Sequence, residues 1–244
     1  MEGVAYLSFL IVCSFYYPAT ASIYGDLINT RIAPYFAYLT EGYTTTFKCG
    51  GAIIHDRFIL TAAHCLNDRY FNVFVGVNME EDLKVLTPYA VEEVRKFPWY
   101  DQTIYYDVGL VKLTTHLVRS DRVQPISLET RFPPMGAEVS IIGFGLVDCT
   151  NNPKLTQYHL CSRVRSRYLR SAKVTVSGMQ NRVLYTSTRS RYGCSGDSGG
   201  PVVYNGKLVA VVTTGPHNSC HTQDAQVLIS EKYQWIKDTM KQLS

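Results

Sequence analysis

Short β-branched and aromatic runs, each closed by turn residues, occupy most of this chain. Their pattern predicts strands over Ala52–Ile54, Phe58–Thr61, Phe71–Val77, Val108–Leu113, Val139–Ile142, Val202–Tyr204, Leu208–Thr213 and Gln226–Ile229. Asn205-Gly206 stands between two of these runs and marks a hairpin tip, because a tight hairpin turn needs residues that accept positive φ. Helical spacing appears only near the end, where Tyr233, Ile236 and Met240 share a face and Ser230 is the expected N-cap, with Glu231 in the first turn. No repeat, low-complexity tract or linker interrupts the series. The expected architecture is all-β with one C-terminal α-helix.

One apolar run does not belong to the fold. Val4 to Tyr17 is mostly apolar and is followed by Pro18 and the small residues Ala19-Thr20-Ala21-Ser22. Residues 1–22 therefore read as a signal peptide, too short for a membrane span, and 23–244 as the mature domain. Glu2 stands where such segments usually carry a basic residue. A secreted, extracellular protein without membrane attachment is expected.

The chain has 244 residues, 46% of them hydrophobic and 18% charged, enough for a sizeable core and too apolar for disorder. Its formal charge of +4 is unevenly placed: residues 149–196 hold nine Lys or Arg and no Asp or Glu. Removing the leader takes away Cys13 and leaves Cys49, Cys65, Cys149, Cys161, Cys194 and Cys220. An even count in a secreted chain implies disulfides, and spacing alone leaves every pairing open. No Cys-x-x-Cys pair suggests zinc.

Nucleophilic hydrolysis needs an activated hydroxyl, a base, a carboxylate to orient that base, and donors for the oxyanion. Three segments supply these in the order His, Asp, Ser. They are Thr61-Ala62-Ala63-His64-Cys65, Asp107-Val108-Gly109-Leu110-Val111 and Cys194-Ser195-Gly196-Asp197-Ser198-Gly199-Gly200-Pro201. Any one of these residue types alone is more often structural than catalytic.

Together these segments resemble the chymotrypsin/trypsin family of secreted serine endopeptidases, and the resemblance spans nearly the whole chain after Ile23. It is also similar to trypsin-like proteins of mites, some of whose paralogues are inactivated. The resemblance implies two packed six-stranded antiparallel β-barrels with the site at their junction. It implies catalytic roles for His64, Asp107 and Ser198, and an oxyanion hole from the backbone amides of Gly196 and Ser198. It implies the disulfides Cys49–Cys65 and Cys194–Cys220, leaving Cys149 with Cys161. It also implies an activation pair, the amino group of Ile23 with Asp197.

The same comparison locates departures. Ser22 precedes Ile23, where relatives carry the basic residue of an activation site. In the specificity pocket, Tyr192 takes the place of the Asp that selects basic substrates, next to Gly193. Gln226 takes the place of a wall glycine, and Thr213-Thr214-Gly215 lacks the usual aromatic residue. Two functions are expected from this combination. One is an endopeptidase with a non-tryptic or impaired pocket acting on proteins or peptides. The alternative is a pseudoprotease scaffold that binds extracellular proteins.

Arg163, Arg165, Arg167, Arg170 and Lys173 form a basic cluster over 163–173. On a strand, the three alternating arginines would share a face and suit an acidic glycan or acidic protein surface. Secretion argues against nucleic acid. Glu80, Glu81 and Asp82 are the carboxylates of the loop where some relatives bind calcium. No metal or cofactor is expected, and the protein is expected to be a monomer.

Overall fold

The computed structural model describes residues 25–68, 70–145, 165–187, 197–213 and 223–244. Six antiparallel strands form the first sheet: β2 (Phe36–Thr40), β3 (Phe47–His55), β4 (Phe58–Thr61), β5 (Val73–Val75), β6 (Val91–Lys96) and β7 (Gly109–Leu113). Their order is β5-β2-β3-β4-β7-β6, and an antiparallel bridge from Val73 to Tyr89 draws the two edges together as a half-barrel. The second sheet contains β8 (Glu138–Gly143), β9 (Arg170–Gln180), β10 (Val183–Ser187), β11 (Pro201–Tyr204), β12 (Lys207–Val212) and β13 (Gln223–Leu228). Pairing of β8 with both β9 and β11 closes it into a barrel, and the short β1 (Asp26–Leu27) lies against β9. These are the expected two six-stranded barrels, followed by one helix, Tyr233–Leu243.

Period-2 alternation assigns each strand two faces. On β2, Ala37 and Leu39 join the first barrel's core, while Phe36 and Tyr38 face a second cluster with Phe47, Phe74, Ile142, Phe144 and Leu169. That cluster joins the barrels. Phe144 meets the Tyr38 ring edge-on at 5.2 Å and lies 5.6 Å from Phe47. Because β2, β4 and β7 are covered on both faces, every one of their residues is buried.

The predicted runs fall in or overlap observed strands, although only Val73–Val75 of Phe71–Val77 is strand. The hairpin tip forms as expected, with φ of 47° at Asn205 and 74° at Gly206. The helix differs at its start. Ser230 does not cap it; its Oγ is buried without a hydrogen-bond partner among the described residues. The chain first makes a turn, in which the Lys232 amide donates to the Ile229 carbonyl at 2.9 Å, and the helix begins at Tyr233.

Candidate active site

His64 sits in the short 3₁₀ turn Ala63–Leu66, immediately after β4. The next residue, Cys65, is bonded to Cys49 of β3, so the turn is tied covalently to the barrel wall. Asp107 follows another 3₁₀ turn, Ile104–Tyr106. Its own φ of −80° and ψ of 63°, with the Val108 amide donating to the Tyr106 carbonyl at 2.8 Å, define an inverse γ-turn. This kink turns the buried carboxylate toward His64.

Both carboxylate oxygens are then engaged. Asp107 Oδ1 accepts the His64 backbone amide at 2.8 Å, and Oδ2 lies 2.6 Å from His64 Nδ1. A carboxylate can only accept, so Nδ1 carries the proton and Nε2 is left as the basic nitrogen. The imidazole rests on the disulfide, with Nε2 3.6 Å from Cys65 Sγ. Cys49, His64 and Cys65 come close enough to suggest a metal cluster, but their sulfurs are joined to each other and supply no thiolate.

Ser198 is buried in a sharp turn at the barrel junction. Its carbonyl accepts the Gly50 amide of β3 at 2.8 Å, and the Gly199 amide donates to Val212 of β12 at 2.8 Å. Gly199 has φ of +78°, and a Cβ there would collide with Thr61 Oγ1 and the Gly50 carbonyl. The turn thus reaches both barrels through a glycine that no larger residue replaces. Among the described residues, no acceptor takes the Ser198 amide and no hydrogen bond joins Ser198 Oγ to His64. Catalytic hydrogen bonds often tighten only around substrate. Asp197 Oδ1 accepts the Gly145 amide at 2.9 Å, and its carboxylate occupies space that side chains at Gly143 and Gly145 would fill.

A family model described as Trypsin matches residues 25–236. The chain belongs to the trypsin family. It is 29% identical to serine protease 1 of Rattus norvegicus over 226 residues, covering 85% of each chain. To rat granzyme B it is 31% identical over 223 residues, covering 85% of this chain and 86% of the other. Neuropsin, a serine protease expressed in the limbic system of mouse brain, shares the fold with a TM-score of 0.76 at 23% identity, over 88% of this chain and 98% of that one.

Within this trypsin-family fold, the residues expected to line the specificity pocket are described only in part. Ile23, Tyr192, Gly193, Gly196 and Gly215 lie outside the described residues, as do Cys149, Cys161, Cys194 and Cys220. Thr213 and Gln226 lie inside. Thr213 is buried and its Oγ1 donates to the Ala225 carbonyl at 2.9 Å. Gln226 is 0% exposed, placed on β13 between Val212 of β12 and Leu184 of β10. Its Nε2 donates to Thr186 Oγ1 at 2.9 Å, while Oε1 is buried with no hydrogen-bond partner among the described residues. Thr186 was not foreseen; a lone threonine in a strand carries no sequence signal.

The described members of the basic cluster, Arg165, Arg167, Arg170 and Lys173, do not share one strand face. Residues 165–169 precede β9 rather than extend it, and each described cation turns to a different partner. Arg165 donates to the Phe47 carbonyl with its guanidinium 5.5 Å from the Phe47 ring, and Arg167 pairs with Glu81. Arg170 donates to the Gly25 carbonyl at 3.0 Å, and Lys173 lies 2.8 Å from Glu138. Arg163 lies outside the described residues. Of the expected loop carboxylates, Glu81 pairs with Arg167, and Asp82 Oδ2 accepts the Asn78 and Met79 amides at 2.8 and 3.2 Å.

Proposed function

We propose that this protein is a secreted serine endopeptidase that works through an acyl-enzyme and has a narrowed primary pocket. The observation that carries the reading is the double engagement of Asp107 by His64, which fixes the tautomer with Nε2 basic. Ser198 Oγ attacks the scissile carbonyl and passes its proton to His64 Nε2, which then protonates the leaving amine. Water repeats the sequence on the acyl-enzyme, with His64 again as base and Ser198 as leaving group. The Ser198 amide, unclaimed among the described residues, serves as one oxyanion donor, with Gly196 as the other.

The pocket assignment rests on Gln226. A fully buried amide, held by Thr186 where relatives carry glycine, takes volume from a substrate side chain. Cleavage after small uncharged residues follows, since the wall excludes bulk and Tyr192 supplies no carboxylate for a basic side chain. Secretion is supported by the leader pattern of residues 1–22 and agrees with the protease relatives. The same buried Gln226 amide carries a second reading, in which it fills the pocket rather than narrows it and the protein is a scaffold that binds proteins without cleaving them.

The deciding experiment treats protein beginning at Ile23 with a fluorophosphonate probe. Labelling of wild type but not of Ser198→Ala is expected. An unlabelled, folded wild type gives the scaffold reading.

A further inference from the structure

Lys232 is 5% exposed, unusual for a lysine, and lies immediately before the C-terminal helix. Its Nζ stands 4.4 Å from the Phe97 ring centroid and 5.1 Å from that of Tyr106. The two rings are nearly parallel, 3° apart with centroids 5.7 Å apart. Trp235 meets Phe97 at 5.2 Å, and Trp99 sets its ring 6.0 Å from both Phe97 and Tyr106. Among the described residues, no oxygen accepts a hydrogen bond from this ammonium; its nearest electrostatic partners are aromatic faces. Burial lowers its proton affinity, and Glu231 opposes that effect.

The two ring-bearing residues adjoin the chain on either side of Asp107. Tyr106 is the residue before Asp107 and closes its γ-turn through its carbonyl. The Phe97 amide donates to the Val108 carbonyl, the residue after Asp107, at 2.9 Å. Lys232 therefore contacts, from the turn before the C-terminal helix, both chain segments that set the direction of Asp107. We propose that Lys232 is a positioning residue for Asp107, its ammonium holding the Phe97–Tyr106 pair so that the carboxylate stays aligned on His64. It touches neither substrate nor reacting atoms. Its kinetic consequence rests on the endopeptidase reading, whereas its effect on the His64–Asp107 hydrogen bond does not.

The test compares Lys232→Met, which keeps length and apolar character, with Lys232→Arg, which keeps the charge. Two quantities are read on folded protein: the fluorophosphonate labelling rate of Ser198, and the far-downfield proton resonance of His64 Nδ1–H. Lys232→Met is expected to slow labelling about tenfold, the scale of a desolvated cation–aromatic contact. It should also weaken the His64 resonance, while Lys232→Arg restores both. A wild-type rate and resonance in Lys232→Met overturn the proposal, as does equal impairment in Lys232→Arg, which would indicate packing alone. Should wild type not label at all, the endopeptidase reading fails and the resonance still decides the role of Lys232. If Lys232→Met does not fold, Tyr106→Leu removes one aromatic face and should weaken the same resonance; an unchanged resonance there overturns the proposal.

Discussion

Gln226 Nε2 donates to Thr186 Oγ1 from β13 to β10, while the oxygen of the same amide is buried with no hydrogen-bond partner among the described residues. A half-satisfied buried amide costs stability, on the order of 1–3 kcal/mol for the orphaned end. Its persistence on β13 fits the steric task proposed for it better than a stabilising one. Gln226→Gly is expected to raise kcat/KM for substrates with large residues before the scissile bond by about tenfold or more, with little change for small ones. A peptide library assayed on both proteins checks this. An unchanged size preference removes Gln226 as the limiting wall.

Gly199 is the second position where geometry leaves no choice. Ala there places a Cβ against Thr61 Oγ1 and the Gly50 carbonyl and holds a non-glycine residue at φ of +78°. Strain of this kind costs of order 1–3 kcal/mol, and the backbone clash adds to it. Gly199→Ala is expected to lower the melting temperature and to abolish probe labelling of Ser198. A variant that melts and labels as wild type would show that the turn relaxes freely.

The fold was readable where runs were locally self-consistent. Asn205-Gly206 carries its own turn chemistry, and Phe58–Thr61 is bounded by turn residues on one side and the His64 segment on the other. Less legible were Phe36–Thr40 and Arg170–Gln180, whose strand character depends on neighbours distant in sequence. The proposed site residues His64, Asp107 and Ser198 stand in short motifs, because a nucleophile and its base need a fixed local backbone. What the motifs did not disclose was their support. The alternating arginines looked like one face because alternation presumes a strand, and Arg165 and Arg167 lie ahead of one. Ser230 looked like a helix cap, but a preceding turn moved the helix start and drew Lys232 beneath Phe97 and Tyr106. Such contacts join segments far apart in the chain, so spacing cannot reveal them.

Lys112 on β7 is buried, and its Nζ lies 2.7 Å from Glu92 Oε1. Hydrogen bonding from Lys112, then its charge and that of Arg57, holds the Glu92 carboxyl below the ordinary range. A carboxylate with a lowered folded-state pKa adds stability that is complete above its unfolded value and is lost as pH falls through the folded one. Thermal melts should therefore show a destabilisation on acidification that Glu92→Gln lacks, the variant being less stable than wild type at neutral pH. Parallel acid limbs for the two proteins would show that this pair contributes nothing.

Arg167 and Glu81 make an exposed ion pair, with 63% and 38% of their side chains accessible. Exposed pairs contribute about 0–1 kcal/mol. The backbone already joins these segments, the Glu80 amide donating to the Arg167 carbonyl at 2.9 Å and the Leu169 amide to Asn78 at 2.8 Å. Arg167→Ala should therefore cost less than about 1 kcal/mol of stability. The pair has a larger consequence for acidic glycans, because Glu81 competes with them for the guanidinium. Wild type should elute from heparin at low salt, and Glu81→Gln, which frees Arg167, should shift elution to higher salt. If wild type is already retained strongly and Arg167→Ala releases it, the ion pair does not mask the arginine and the 163–173 segment binds polyanions as it stands.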